Sequence, residues 1–155
     1  MDKDFYKELS TQAADGDAKA FSRLYEMLYR DMYYTAYYTL ADDEDAIEAV
    51  IGAARDGFNS ISKLRTEEAF TVFMMKTLCA RIKMRCKEYL PTDKLSKSEP
   101  KLKRKLFKLG ATDRLIAVMH IVARLKVPVI AAYTGMMKGS VKKRLASALS
   151  ELGLD

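Results

Sequence analysis

The chain predicts an all-α protein of two small helical domains joined by a linker, the second carrying a helix-turn-helix, and three observations support this. Apolar residues recur at three- and four-residue spacing along almost the whole sequence, with no convincing strand-type alternation. The segment from Pro91 to Pro100, "PTDKLSKSEP", is polar, bracketed by prolines and poor in apolar residues, as linkers are. Charge divides around it: residues 1–90 hold 13 Lys and Arg against 16 Asp and Glu, whereas residues 91–155 hold 14 against 5. The expected boundaries are a first domain over 1–90, a linker over 91–100 and a second domain over 101–155.

Each element has its own reason. A short first helix runs through "DFYKELSTQAA" and stops near Gly16, after which Asp17 can cap a long second helix. In that helix Phe21, Leu24, Leu28, Met32, Ala36 and Leu40 form a buried stripe, with Tyr25, Tyr29, Tyr33 and Tyr37 as a second stripe beside it. Its six tyrosines suit either aromatic packing with hydroxyls at the rim or base stacking. The acidic "ADDEDAIEAV" caps and opens a third helix, because carboxylates suit a first turn. Ile47, Val50, Ile51, Ala54 and Phe58 are expected on its buried side. After "NSISKLRTEE" a fourth helix follows, with Phe70, Phe73, Met74, Leu78 and Ile82 inward. From Lys76 to Lys87 it carries cations and no acid, which fits a solvated face or a nucleic-acid surface.

In the second domain "KLKRKLFKLG" reads as a helix ended by Gly110, and Thr112 or Asp113 as the cap of "RLIAVMHIVARLK". Pro128 suits a first helical turn, Gly135 a helix end, and the last helix runs from about Gly139 to Gly153.

Composition excludes several function classes. No apolar run approaches the ~18–20 residues of a membrane span, and the start "MDKDFYKEL" is charged where a signal peptide is apolar, so a cytoplasmic location without membrane partners is expected. Cys79 and Cys86 lack nearby His partners for zinc and read as reduced thiols. His120 lies within an apolar run. With no nucleophile–base pair, glycine-rich phosphate loop or paired carboxylates, neither catalysis nor a cofactor or metal is expected.

The informative stretch is "PVIAAYTGMMKGSVKKRLASALSEL". Two apolar-periodic runs flank a short glycine-containing turn, as in a helix-turn-helix or a plain αα-hairpin. Cations crowd the start of the second run, where the helix dipole favours anions, so an anionic partner would reward them. Val141, Leu145, Leu149 and Leu152 would hold that helix to its domain. Lys138, Ser140, Lys142, Lys143 and Arg144 are the candidate DNA-binding residues.

Here the sequence resembles a known family. "IAAYTGMMKGSVKKRLASALSEL" is similar to region four of bacterial sigma-70 family factors, with "LFKLGATDRLIAVMHIVARLKV" similar to the helices preceding it. "GDAKAFSRLYEMLYRDMYYTAYYTLADDEDAIEAV" resembles the opening helices of region two, and "FTVFMMKTLCARIKMRCK" lies where the family has its promoter-melting helix. The layout is that of the small extracytoplasmic-function group. The resemblance implies a non-enzymatic initiation factor whose partners are promoter DNA, core RNA polymerase and an anti-sigma protein. It further implies polymerase contacts through Asp45 and Glu48, and single-strand DNA contacts through Lys63, Arg65, Arg81, Lys83 and Arg85. The polymerase-facing helix departs from the family pattern: Ile51, Gly52 and Ala53 stand where a Gln-Glu pair and a large apolar residue are usual. Two other readings accompany this one, a helix-turn-helix regulator that kept the fold without polymerase binding, and a helical protein-interaction module.

Overall fold

A computed structural model of the chain describes residues 1–88, 95 and 98–155. Its helices are α1 (Lys3–Ala14), α2 (Ala18–Leu40), α3 (Asp43–Ser60), α4 (Glu67–Cys86), α5 (Lys101–Leu106), α6 (Ala111–Ile121), α7 (Val127–Thr134) and α8 (Lys138–Leu152), with a 3₁₀ turn over Ile61–Lys63. No strand occurs among the described residues, so the all-α expectation holds. Most of the expected linker, residues 91–94, 96 and 97, lies outside the described residues.

Local signals set most of the boundaries. The Asp17 carboxylate accepts from the Lys19 and Ala20 amides to start α2, Asp42 accepts from Asp45 to start α3, and Thr66 accepts from Ala69 to start α4. Gly135 and Gly153 end α7 and α8 at φ 71° and 76°, the left-handed conformation glycine adopts without steric cost. The start of α6 differs from expectation. Its N-cap is Gly110, and Thr112 and Asp113 lie inside the first turn, where Asp113 complements the dipole without capping.

The α3 stripe is also rotated from the expected one. Ala46, Ala49, Val50 and Ala53 are its buried apolar side chains, while Ile47 and Ile51 stand 37% and 49% exposed. The reason is close approach to its neighbours, which needs small residues. A Cβ on Gly57 would run into the Met74 Sδ of α4, and one on Gly52 into the Arg81 guanidinium. Large β-branched residues there would hold the helices apart, so α3 turns them outward.

In α2 the aromatic reading holds. Phe21, Leu24, Met32, Ala36 and Leu40 are buried. Beside them Tyr25, Tyr29, Tyr33 and Tyr37 form a ladder with successive ring centroids 5.7, 6.1 and 5.9 Å apart, and Tyr34 and Tyr38 flank it. Their four-residue spacing places each ring over the next.

The two halves of the chain share a core across the segment expected as a linker. Leu115, Ile116 and Met119 of α6 and Ile130 of α7 are fully buried in one cluster with Met32, Met74, Leu78 and Ile82 of the first half. The Cys79 and Met119 sulfurs meet at 3.9 Å. Burying side chains of this size contributes about 1.5–3 kcal/mol each. The short charged stretch between the prolines concealed this interface, because the apolar residues that close it lie on either side.

Candidate nucleic-acid interface

Helices α7 and α8 with the turn Gly135–Met137 build the helix-turn-helix from short-range chemistry. The Gly135 and Met136 amides both donate to the Ala131 carbonyl, at 2.9 and 3.2 Å, and the Thr134 hydroxyl donates back to Ile130 at 2.8 Å. Val141, Leu145, Ala148 and Leu152 are buried at four-, three- and four-residue spacing, which fixes the roll of α8. Ala148 takes the place expected for Leu149, which is only partly buried. The rest of its surface is left to solvent, and Lys138, Ser140, Lys142, Lys143 and Arg144 are all exposed on it.

The start of α8 is open in a second sense. Its N-cap is Met137, 79% exposed, and no side chain caps the helix. Its first amides and its cations therefore present one positive surface, suited to phosphate. Arg144 is set apart from the lysines by an ion pair between its guanidinium and the Asp113 carboxylate at the start of α6, at 2.8 Å.

The cations assigned to the first half behave differently. Lys63 and Arg65 are exposed in the connection between α3 and α4. Lys83 is half-buried. Arg81 pairs with Asp56 of α3 at 2.8 Å, its guanidinium lying across Gly52. Arg85 pairs with Asp45 at 2.7 Å and also with Glu88, and the Asp45 hydrogen bond raises the guanidinium's pKa further. Much of the basic face of α4 is thus turned onto acids of the same domain.

The same pairing settles the position of Asp45, which is only 6% exposed. It is an internal counter-ion, and this arrangement gives it no free face for a partner. Glu48 is exposed, in a patch with Glu44, Ile47, Ile51 and Arg55. Gly52 is where the Arg81 guanidinium crosses α3.

Two residues to which the sequence reading gave no part in the site matter here. Asp113 positions Arg144. Arg114, 2% exposed, is buried between the halves, its Nε donating to the Thr39 carbonyl and its Nη1 to the Leu109 carbonyl, both at 2.8 Å. Its Nη2 lies 3.5 Å from the Cys86 sulfur, and the guanidinium lies over the Phe107 ring. A cation at the head of the apolar run "LIAVM" was the available signal for Arg114; nothing in the sequence pairs Asp113 with a residue 31 positions away. Burial pushes the Cys79 thiol up to about 12 and raises that of Cys86, so neither is a ready nucleophile at neutral pH. No metal-ligating cluster and no helix long and apolar enough to cross a membrane occurs among the described residues.

No family model matches the chain, and no curated protein matches it. Among solved structures the chain is similar to CnrH, an extracytoplasmic-function sigma factor, in complex with the cytosolic domain of CnrY. The TM-score is 0.73 over 96% of this chain and 95% of that one, at 17% identity. From end to end, the fold is sigma-factor-like.

Proposed function

We propose that the chain is a sigma-like transcription initiation factor, not an enzyme, that reads promoter DNA with α8 and brings it to core RNA polymerase. The carrying observation is the uncapped, exposed and cationic start of α8 in a helix-turn-helix, within a sigma-factor-like fold. Lys138, Lys142 and Lys143 fix register on phosphates, and Ser140 meets base edges in the major groove. Arg144 joins them by exchanging Asp113 for a phosphate. Lys63 and Arg65, with a lesser part for Lys83, hold single-stranded DNA beside the first domain, while Arg81 and Arg85 chiefly brace α3 against α4. Polymerase contact falls to Glu48 and the exposed Ile47 and Ile51. By analogy with the CnrH–CnrY complex, an anti-sigma protein is the regulatory partner.

One experiment tests this reading: a pull-down with core RNA polymerase, repeated with Glu48→Lys. Retention of the parent and loss of the variant, with unchanged helicity, support it. If the parent is not retained but binds duplex DNA, the chain is a helix-turn-helix regulator without polymerase binding. The burial of Asp45 against Arg85 favours that second reading. Binding to neither partner would leave a protein-interaction module.

A further inference from the structure

Beside the shared core, the second domain has a smaller one of its own, and this forms the floor of a pocket. Leu106 of α5, Val118 of α6 and Leu152 of α8 are buried together there, with Tyr38 of α2 packed against them. Above that floor the packing stops short. Tyr37 and Tyr38 in the last turn of α2, Leu102 of α5, and Ile121 and Val122 at the end of α6 stand around about 400 Å³ of space. Leu102, Ile121 and Val122 line it while 45%, 37% and 36% exposed. Apolar surface gathered in a concave place is what small-molecule sites present, and the volume lies within their usual range.

Among the described residues, the charged groups that line the pocket are Glu99 and Lys103. The Lys103 Nζ lies 3.2 Å from the Glu99 carboxylate, four residues earlier, and 5.5 Å from the centre of the Tyr37 ring. Both side chains are mostly covered. An ammonium has three donors, and Glu99 engages one of them while the ring face holds the cation from another side. Ion pairs that water still reaches contribute little, so Glu99 can give way to another carboxylate without much cost to the fold. Lys103 thus sits at the pocket wall as a cation with an exchangeable counter-ion.

The pocket lies away from the DNA-facing surface. Leu152 ends α8 and Lys138 begins it, and at about 1.5 Å per residue they are roughly 20 Å apart. A molecule on this floor leaves Lys138, Lys142 and Lys143 uncovered.

We propose that the pocket binds a small amphiphilic acid, a medium-chain monocarboxylate whose apolar body lies against Tyr38, Val118 and Leu152 and whose carboxylate takes the place of Glu99 on Lys103. One cation in an otherwise apolar concavity suits one anionic group on an apolar body. At roughly 30 Å³ per heavy atom, a water molecule's share of the liquid, the space holds about a dozen. That is the size of decanoate. Neither DNA nor polymerase enters this site, so its test and that of the sigma-like reading can fail separately.

The test is calorimetric titration of the full chain with decanoate below its micelle concentration, beside decylammonium, which shares the body with the opposite charge, and acetate, which shares the head alone. Decanoate should bind saturably with one site per chain, decylammonium at least tenfold more weakly, and acetate not at all. Lys103→Gln should lower decanoate affinity about tenfold, the loss of one charge-assisted hydrogen bond. Glu99→Gln should raise it severalfold, because the competing carboxylate is gone. Val122→Trp should abolish binding by filling the space, with Ile121→Phe in its place if thermal melts show that the first variant does not fold. Absence of saturable decanoate binding, equal binding of decanoate and decylammonium, or indifference to the filling variant would overturn the proposal. So would weaker binding by Glu99→Gln, since Glu99 would then belong to the bound state instead of yielding to the ligand.

Discussion

The helices of the two halves begin differently. In the first half α2, α3 and α4 start on Asp17, Asp42 and Thr66, each of whose side chains accepts from the helix's own amides. In the second half α5, α6, α7 and α8 start on Pro100, Gly110, Lys126 and Met137, and none has a side-chain cap. A cap contributes about 1 kcal/mol, so α2, α3 and α4 gain at their starts what the second half, and α1 on Asp2, forgo. The cations follow the same division. Arg81 and Arg85 of α4 are turned onto Asp56 and Asp45, whereas Lys138, Lys142 and Lys143 of α8 project outward. The two arginines of α4 serve the fold, and the lysines of α8 are left for a ligand.

The sharpest way to break this comparison is to remove the outward cations. Lys142→Ala with Lys143→Ala should lower duplex affinity more than tenfold at moderate salt and reduce the log–log salt slope by about 1.8, at about 0.9 per phosphate contact. The thermal melt should move little, since both side chains are exposed and, as the fifth and sixth residues of α8, lie past the first turn within which the dipole acts. A duplex titration at several salt concentrations reads the first effect. An unchanged slope would show that α8 starts towards something other than DNA.

A smaller effect is expected where the two uses of charge meet. Asp113→Asn should free Arg144 and raise duplex affinity severalfold, with up to one further unit of salt dependence. Because the pair is exposed, stability should change by less than about 1 kcal/mol. An affinity that falls would mean that Asp113 orients Arg144 for DNA instead of competing for it.

In the first half the same substitution type should give the opposite pattern. Arg81→Ala and Arg85→Ala should lower the melting temperature while leaving the duplex salt slope within error of the parent. Lys63→Ala with Arg65→Ala should weaken binding of a single-stranded oligonucleotide and leave the melt unchanged. If the arginine variants weaken single-strand binding more than the lysine–arginine pair does, the α4 cations are not committed to the fold.

The smallest effect is expected at Gly52. Alanine there favours the helix by about 1 kcal/mol over glycine, but its Cβ must push aside the Arg81 guanidinium. The displaced group is the end of a flexible side chain, so stability should stay near that of the parent while the Arg81–Asp56 pair opens. A melt beside a crystal structure of the variant would show whether it does.

The parts of the fold legible in sequence were those with local causes. The capping of α2 by Asp17, the left-handed ends at Gly135 and Gly153, and the helical spacing of Phe21, Leu24 and Met32 all depend on residues a turn or so away. What sequence hid was set at long range. The roll of α3 follows from how closely Met74 and Arg81 approach it, so small residues turned inward and Ile47 and Ile51 outward, against their hydrophobicity. The closed interface was equally hidden, because Leu115 and Ile130 read as core residues of their own domain. Within the site, the exposure of Lys142 and Lys143 could be read from the Val141–Leu145 spacing. The internal use of Asp45 could not, because its partner lies 40 residues away.

Arg114 gives the closed arrangement a particular kind of stability. One guanidinium serves carbonyls from the end of α2 and from the turn before α6, and also touches a sulfur from the end of α4. Prising the halves apart takes the guanidinium from the Thr39 carbonyl and the Cys86 sulfur while its bond to Leu109 stays, and half-open states, too narrow for water to reach the parted groups, are the worst of all. Partly open arrangements are therefore disfavoured relative to the closed and the fully separated one. A ligand acting anywhere along the seam needs only to shift the balance between these two states to change how much of the protein is open.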